Sequence, residues 1–352
     1  MKGPANRRLY VNAALSLAVG AACVAFAVHG MDGRAVARAL VALSPLTVVI
    51  YLGTLALTHL FRGWRWEYLL RALGVSLPFG RLMLISSAGF MAILALPFRL
   101  GELARPYYVA RERGARMSAL LGAVAVERII DGLLISILFF VASLATAGDA
   151  FSPKLHLAAW VSLAGFLGLT AFLVAAQIWT EPTIAFALRV TLVERLAPAR
   201  AAALADKLRA LISGFRALRD HRNFSIFLLQ SVIYWGVNGF GMWLLARGMD
   251  LPISLGAAFV VMSFTGVVLT LPNSPGLVGQ FHAAIKAGLL AYLPAAVVNS
   301  RGIAYAIVLH GIQAVWYVAI GSSCVVALAR TGAHAHLADA VREAEADPGP
   351  IA

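Results

Sequence analysis

Two short charged runs interrupt an otherwise apolar chain: Arg99-Leu-Gly-Glu102-Leu-Ala-Arg105 and Glu127-Arg128-Ile-Ile-Asp131. In a helix, residues three and four apart share a face, so each run presents its charges together. An ionisable side chain at membrane depth costs several kcal/mol unless it is paired or wetted, which makes each of these a functional candidate. A guanidinium offers a phosphate two parallel hydrogen bonds, and the carboxylates Glu102, Glu127 and Asp131 can balance charge or carry a proton. Gly101 stands directly before Glu102, as Gly279 stands before Gln280. The plainer reading is that Arg99–Glu102 and Arg128–Asp131 only pin one helix to another.

A second polar group lies in LPNSPGLVGQFHAAIKAG, Leu271 to Gly288. Gly276, after Pro275, and Gly279 permit a tight break in a helix. Asn273, Gln280 and His282 supply uncharged polar contacts beside it, and Lys286 is an unexpected charge. His310 and Gln313 add polarity to the last apolar run. A lone histidine there serves more often as an interhelical hydrogen bond than as a proton relay. FRGWRWEYLL, Phe61 to Leu70, follows a span with Arg62, Trp64, Arg65 and Trp66. It reads as an interfacial anchoring belt, with headgroup gathering by Arg62 and Arg65 as the lesser alternative.

The elements that must hold these residues are set by composition. Of 352 residues, 61% are apolar and 13% charged, against about one quarter charged in soluble domains. The formal charge of +13 does not indicate nucleic acid, because the basic residues lie between apolar runs rather than in a soluble domain. Cys23 and Cys324 fall in apolar segments, so no disulfide framework, metal site or cofactor is expected. A membrane span needs roughly 20 apolar residues. The expected class is an all-α polytopic membrane protein with eight apolar segments. About six are full spans: Leu9–Val28, Pro45–Phe61, Met117–Ala145, Leu155–Trp179, Phe224–Ala246 and Gly302–Ala329. Leu82–Pro97, continuing to Ala110, and Leu255–Pro272, continuing to Tyr292, are broken by proline and glycine and read as re-entrant hairpins. Lys2, Arg7 and Arg8 ahead of Leu9, with Ala25-Phe26-Ala27 behind, resemble a signal peptide, but an uncleaved first span fits the rest better.

The basic connections run from Arg62 to Arg116 and from Arg189 to Arg222, which places both termini in the cytoplasm. LLRALGVSLP (Leu69–Pro78) is answered by LLARGMDLP (Leu244–Pro252), and each continues to a second Leu-Pro, at Pro97 and Pro272. The expectation is an inverted repeat, residues 45–145 against 224–329, within one domain spanning 1–330. Residues 181–223 join the halves. There Leu204, Leu208, Leu211, Phe215 and Leu218 form an apolar face with Lys207, Arg209, Arg216 and Arg219 interleaved. It reads as a helix on the inner leaflet, basic residues toward lipid phosphate, or as a plain linker. Residues 331–352 are expected to be a disordered acidic tail.

LPFRLGELARPYYVARERG, then VERIIDGLL, then LPNSPGLVGQFHAA resembles the transmembrane, flippase-like domain of the lysylphosphatidylglycerol synthases, over roughly Leu9 to Ala329. The resemblance implies movement of an amphiphilic lipid between leaflets of a bacterial cytoplasmic (inner) membrane. It aligns Arg99, Gly101, Glu102, Arg105, Glu127, Arg128 and Asp131 with the family's polar cavity. Two departures stand out. The soluble aminoacyl-transfer domain does not follow Arg330, so lysyl transfer is not expected. The second hairpin offers Gln280 and His282 where the family often has an acidic residue.

The leading expectation is therefore a lipid translocase without nucleotide hydrolysis, since no G-x-x-x-x-G-K motif is present. Its partners would be membrane lipids of the anionic phospholipid or polyprenyl phosphate type. A membrane glycosyl- or acyltransferase is the alternative. It needs a carboxylate or histidine facing an aqueous donor, and the first outer connection offers only Asp32. A further reading is a scaffold for an envelope-biogenesis enzyme.

Overall fold

The computed structural model describes residues 21–146, 153–191, 198–270 and 274–330; the side chains of 97–99, 154–155, 198–200 and 275 also lie outside the description. No strand occurs among the described residues. The principal helices are α1 (Pro45–Trp64), α2 (Phe79–Ala95), α3 (Ala104–Arg113), α4 (Met117–Thr146), α5 (Pro153–Ile178), α6 (His221–Gly248), α7 (Leu255–Val268), α8 (Gln280–Leu289) and α9 (Ile303–Arg330). Residues 21–28 are helical as well.

Local chemistry sets the ends of these helices. Extended Ser44 precedes Pro45 at the first turn of α1, where a missing N–H does no harm. Asp220 and Ser254 cap α6 and α7, accepting from Asn223 N and Ala257 N at 3.1 Å each. α2 stops at Leu96, whose φ of −93° and ψ of 138° are extended, because the residue before a proline is pushed out of the helical region. A 3₁₀ turn, Pro97–Leu103, then leads into α3, which closes at Gly114 with φ of +64°.

α2 and α3 form an antiparallel hairpin. Arg81 pairs with Glu112, Gly89 lies on the Arg105 side chain, and Gly101 rests on the backbone of Ala92 and Ile93. α7 and α8 form a second one. Gln280 Nε2 donates to the Val268 carbonyl at 3.0 Å, and Gly288 packs on Val261. Gly276 at φ of +67° and Gly279 at +83° turn the chain between them.

The hairpins dock in mirrored fashion. α2 packs along α9, and α7 packs along α4. α1 and α6 run antiparallel, with Thr47 on Gly248 and Thr54 on Gly241. The turns of the two hairpins touch. α5 flanks α4 through Ser136–Ser162, at 2.5 Å, and turns Leu157, Trp160, Val161, Leu167 and Phe172 outward. An apolar outer face of that kind suits lipid rather than water.

Among the described residues, four helices are long and apolar enough to cross a membrane: Pro45–Arg71, Met117–Thr146, His156–Ile178 and Ala295–Arg330. α6 is as long, at 28 residues, but carries Gln230, Ser231 and Asn238. The expected spans Met117–Ala145, Leu155–Trp179, Phe224–Ala246 and Gly302–Ala329 all fall on these helices within a few residues. The first expected span is described only over residues 21–28, and the acidic tail 331–352 lies outside the described residues.

The joining segment contains helices Thr180–Val190 and Pro198–Ser213 and a 3₁₀ turn, Gly214–Leu218. It packs on α4, where Gly122 and Gly214 bring the backbones together. Ala205, Ile212 and Phe215 are buried. Two of its arginines are occupied within the protein. Arg209 is clasped by Glu181 at 2.7 Å and Asp206 at 2.9 Å, and Arg219 donates to the Gln177 carbonyl at 2.7 Å.

Candidate functional site

Arg65 sits where α1 bends into the short helix Trp66–Arg71. Its side chain is fully buried and makes four hydrogen bonds. Nη1 donates to Asp131 Oδ1 at 2.5 Å and Ser231 Oγ at 2.9 Å, while Nη2 donates to Asp131 Oδ2 at 2.7 Å and Glu127 Oε1 at 3.0 Å. Glu127 also accepts from Arg105 and Arg128, at 2.6 Å each. Arg128 lies 3.3 Å from Asp131 and 3.8 Å from Glu102, and Trp235 Nε1 donates to Asp131 at 3.0 Å. Trp66 and Tyr234 stack under Arg105 and Arg65, each 4.7 Å from guanidinium to ring centroid. Buried charges persist only when hydrogen-bonded and paired in this way.

The cluster opens onto a cavity of about 460 Å³ where the hairpin turns meet. Ligand clefts are commonly about 300–1,000 Å³, so it has room for a polar headgroup. Arg62, Arg128 and Asp131 form its charged wall, and Thr265, His310 and Gln313 line another side. Phe90, Ile135 and Met262 contribute apolar surface.

The sequence candidates separate into two groups. Gly101, Glu102, Arg105, Glu127, Arg128 and Asp131 converge, with Gly101 tight against α2 and the others in the ion cluster. Gly276, Gly279, Gln280, His282 and His310 assemble at the second hairpin. His310 stacks on Phe281 with centroids 5.0 Å apart, lies 4.9 Å from His282, and donates from Nε2 to the Gly276 carbonyl at 2.8 Å. The bond ties α9 to the turn of the second hairpin. Gln280 is buried and pins its own hairpin. Asn273 lies outside the described residues, as does the side chain of Arg99.

The structure corrects one expectation outright. Arg65 and Trp66 do not form an interfacial belt: both are 0% exposed. Helix continues past Phe61 to Trp64, which carries the basic aromatic quartet into the bundle instead of ending at its surface. Lys286 also gains an explanation. Its ammonium bonds the carbonyls of Phe26 (3.0 Å), Ala27 (3.2 Å) and His29 (2.6 Å). A lysine on the last carbonyls of a helix satisfies groups that have no intrahelical partner.

Residues missed by sequence reasoning include Ser231, Tyr234 and Trp235 on α6 and the central role of Arg65. The usable signal was Arg62 and Arg65, three apart in a segment with no proline to end the helix.

A family model described as the lysylphosphatidylglycerol synthase TM region matches residues 13–321. No curated protein matches the chain.

Proposed function

The chain belongs to the lysylphosphatidylglycerol synthase transmembrane-region family, and from that premise we propose that it carries an amphiphilic lipid between membrane leaflets. It is a multi-pass membrane protein with a membrane-lipid-related role. The observation that carries the finer reading is the cavity of about 460 Å³ at the meeting of the two hairpin turns, with arginines on its wall. A headgroup would pass through this polar space while its acyl chains stayed in the bilayer. Two-chain lipids are too large to enter it whole.

Several observations support the arrangement. The mirrored docking of α2 on α9 and α7 on α4 suits an inverted repeat, 45–145 against 224–329, with re-entrant hairpins meeting at its centre. Arginines and lysines concentrate between Arg62 and Arg116 and between Arg189 and Arg222, which favours cytoplasmic termini in a bacterial inner membrane. No chemical step is assigned. Asp32, all that the first outer connection offers a transferase, caps Gly33–Val41 by accepting from Ala35 N at 3.0 Å.

Leaflet exchange of fluorescent phospholipids in proteoliposomes tests this reading. Exchange should fall at least about tenfold in Arg128→Gln, which removes a charged donor from the cavity wall. It should fall similarly in Ala314→Trp, which fills the cavity without touching the charges. Folded wild-type protein that exchanges no lipid would overturn the proposal.

A further inference from the structure

Among the described residues, four guanidiniums meet three carboxylates in and beside the cavity. Arg65, Arg105 and Arg128 share Glu102, Glu127 and Asp131. Arg62 shares none of them. Among the described residues its partners are the Tyr317 hydroxyl at 3.4 Å and the ring faces of Phe90 and Tyr317, at 4.1 and 5.6 Å from centroid. Its Nε is buried and has no acceptor. Arg62 and Arg128 line the same cavity, close enough for their like charges to repel.

A desolvated cation needs an opposite charge close by or a place in water. Aromatic faces supply part of that attraction and fix the guanidinium in position, but they leave its hydrogen-bonding fork unfilled. The geometry points to an anion as the missing partner: Arg62 recognises a lipid headgroup carrying a single net negative charge on a phosphodiester. The inference rests on the reading that the cavity receives a lipid headgroup, and it names the class of that headgroup. A phosphodiester completes the charge balance of the described residues, and its two free oxygens accept from Arg62 and from Arg128. A zwitterionic headgroup brings a second cation into a space that already holds one to spare. Phosphatidylglycerol has the required charge, and phosphatidylcholine is the matched control.

The experiment uses the purified full chain in neutral detergent and follows intrinsic tryptophan fluorescence, to which Trp235 on the cavity wall contributes. The probes are dihexanoyl phosphatidylglycerol, dihexanoyl phosphatidylcholine and inorganic phosphate. Wild type should bind the phosphatidylglycerol at least about tenfold more tightly than the phosphatidylcholine, as expected of hydrogen bonds to a charged group. Arg62→Gln should reduce that preference to within about twofold, whereas Arg62→Lys should keep much of it. Gln313→Glu is a second variant, checked for folding by its elution profile. It supplies a carboxylate on the wall one turn from Tyr317 and should abolish the preference even if Arg62→Gln fails to fold.

Equal binding of the two lipids by wild type, or an unchanged preference in folded Arg62→Gln, would overturn the inference. So would phosphate binding as tightly as the lipid, which would make this a free-anion site. Arg62-dependent lipid binding without leaflet exchange would uphold the inference and remove the translocase reading. Exchange indifferent to Arg62 and to headgroup charge would do the reverse.

Discussion

Arg65 and Asp131 meet through two parallel hydrogen bonds, 2.5 and 2.7 Å long, with the arginine fully buried and the aspartate side chain 7% exposed. The pair joins the end of α1 to the middle of α4. It holds Asp131 at the cavity wall, and Trp235 on α6 donates to the same carboxylate.

Asp131→Asn should therefore destabilise the protein by up to about 3–5 kcal/mol, because it leaves the buried Arg65 guanidinium only Glu127 as a carboxylate, one that Arg105 and Arg128 already share. Arg65→Met combined with Asp131→Leu should cost less than the single change, since it removes both charges. Reversible unfolding in mixed micelles measures both. A single variant within about 0.5 kcal/mol of wild type would mean that the pair carries no structural weight.

Gly101 admits no side chain, because a Cβ there would overlap the backbone of Ala92 and Ile93. Gly53 on α1 has open space around the same position. Gly101→Ala should lower the thermal midpoint in detergent and displace the hairpin turn, because backbone atoms cannot yield as a flexible side chain can. Gly53→Ala should leave the midpoint unchanged or raise it slightly, by about 0.5–1 kcal/mol of helix preference. Equal behaviour of the two would show that the hairpin turn is loose.

Lys286 secures the end of the first helical stretch through three backbone carbonyls. Lys286→Met should leave those groups unpaired and fray residues 26–29. A cysteine at position 27, in a background lacking Cys23 and Cys324, should then react with maleimide several-fold faster than when Lys286 is present, a ratio of the size produced by losing about 1 kcal/mol of capping. An unchanged rate would assign the anchoring of this segment to apolar packing alone.

The hydrogen bonds from Arg209 hold the Glu181 carboxyl below its ordinary range. A lowered folded-state value stabilises above the unfolded value of about 4.3 and is lost as pH falls through the folded one. The contact between Thr180–Val190 and Pro198–Ser213 should thus loosen below about pH 4. Hydrogen exchange in these helices, corrected for its intrinsic rate, should rise there in wild type. In Glu181→Gln the corrected exchange should be flat across the same range.

Much of this site could be read along the chain, and particular residues show where reading stopped. Glu127, Arg128 and Asp131 were legible because helical spacing alone puts them on one face, and a 30-residue helix does carry them. The break after Leu96 was legible because proline constrains its neighbour regardless of context. Arg65 was misread as an interfacial anchor. Hydropathy marks a span as ending where charges begin, and the carboxylates that neutralise Arg65 lie 62 and 66 residues further on. Without them in view, an arginine beside tryptophans looks like the edge of a membrane.

Local rules act within a turn or two of helix. They were enough to determine that this chain is membrane-embedded and helical, where its helices break, and which segments carry charge inward. Pairing is a different kind of fact, because ion-pair energy depends on distances between side chains brought together from separate helices. Only the tertiary structure could decide that Arg65 takes Asp131, that Glu127 serves three arginines, and that Lys286 is spent on backbone carbonyls. It also decided that Arg62, indistinguishable in sequence from its neighbour Arg65, faces the cavity without a carboxylate among the described residues.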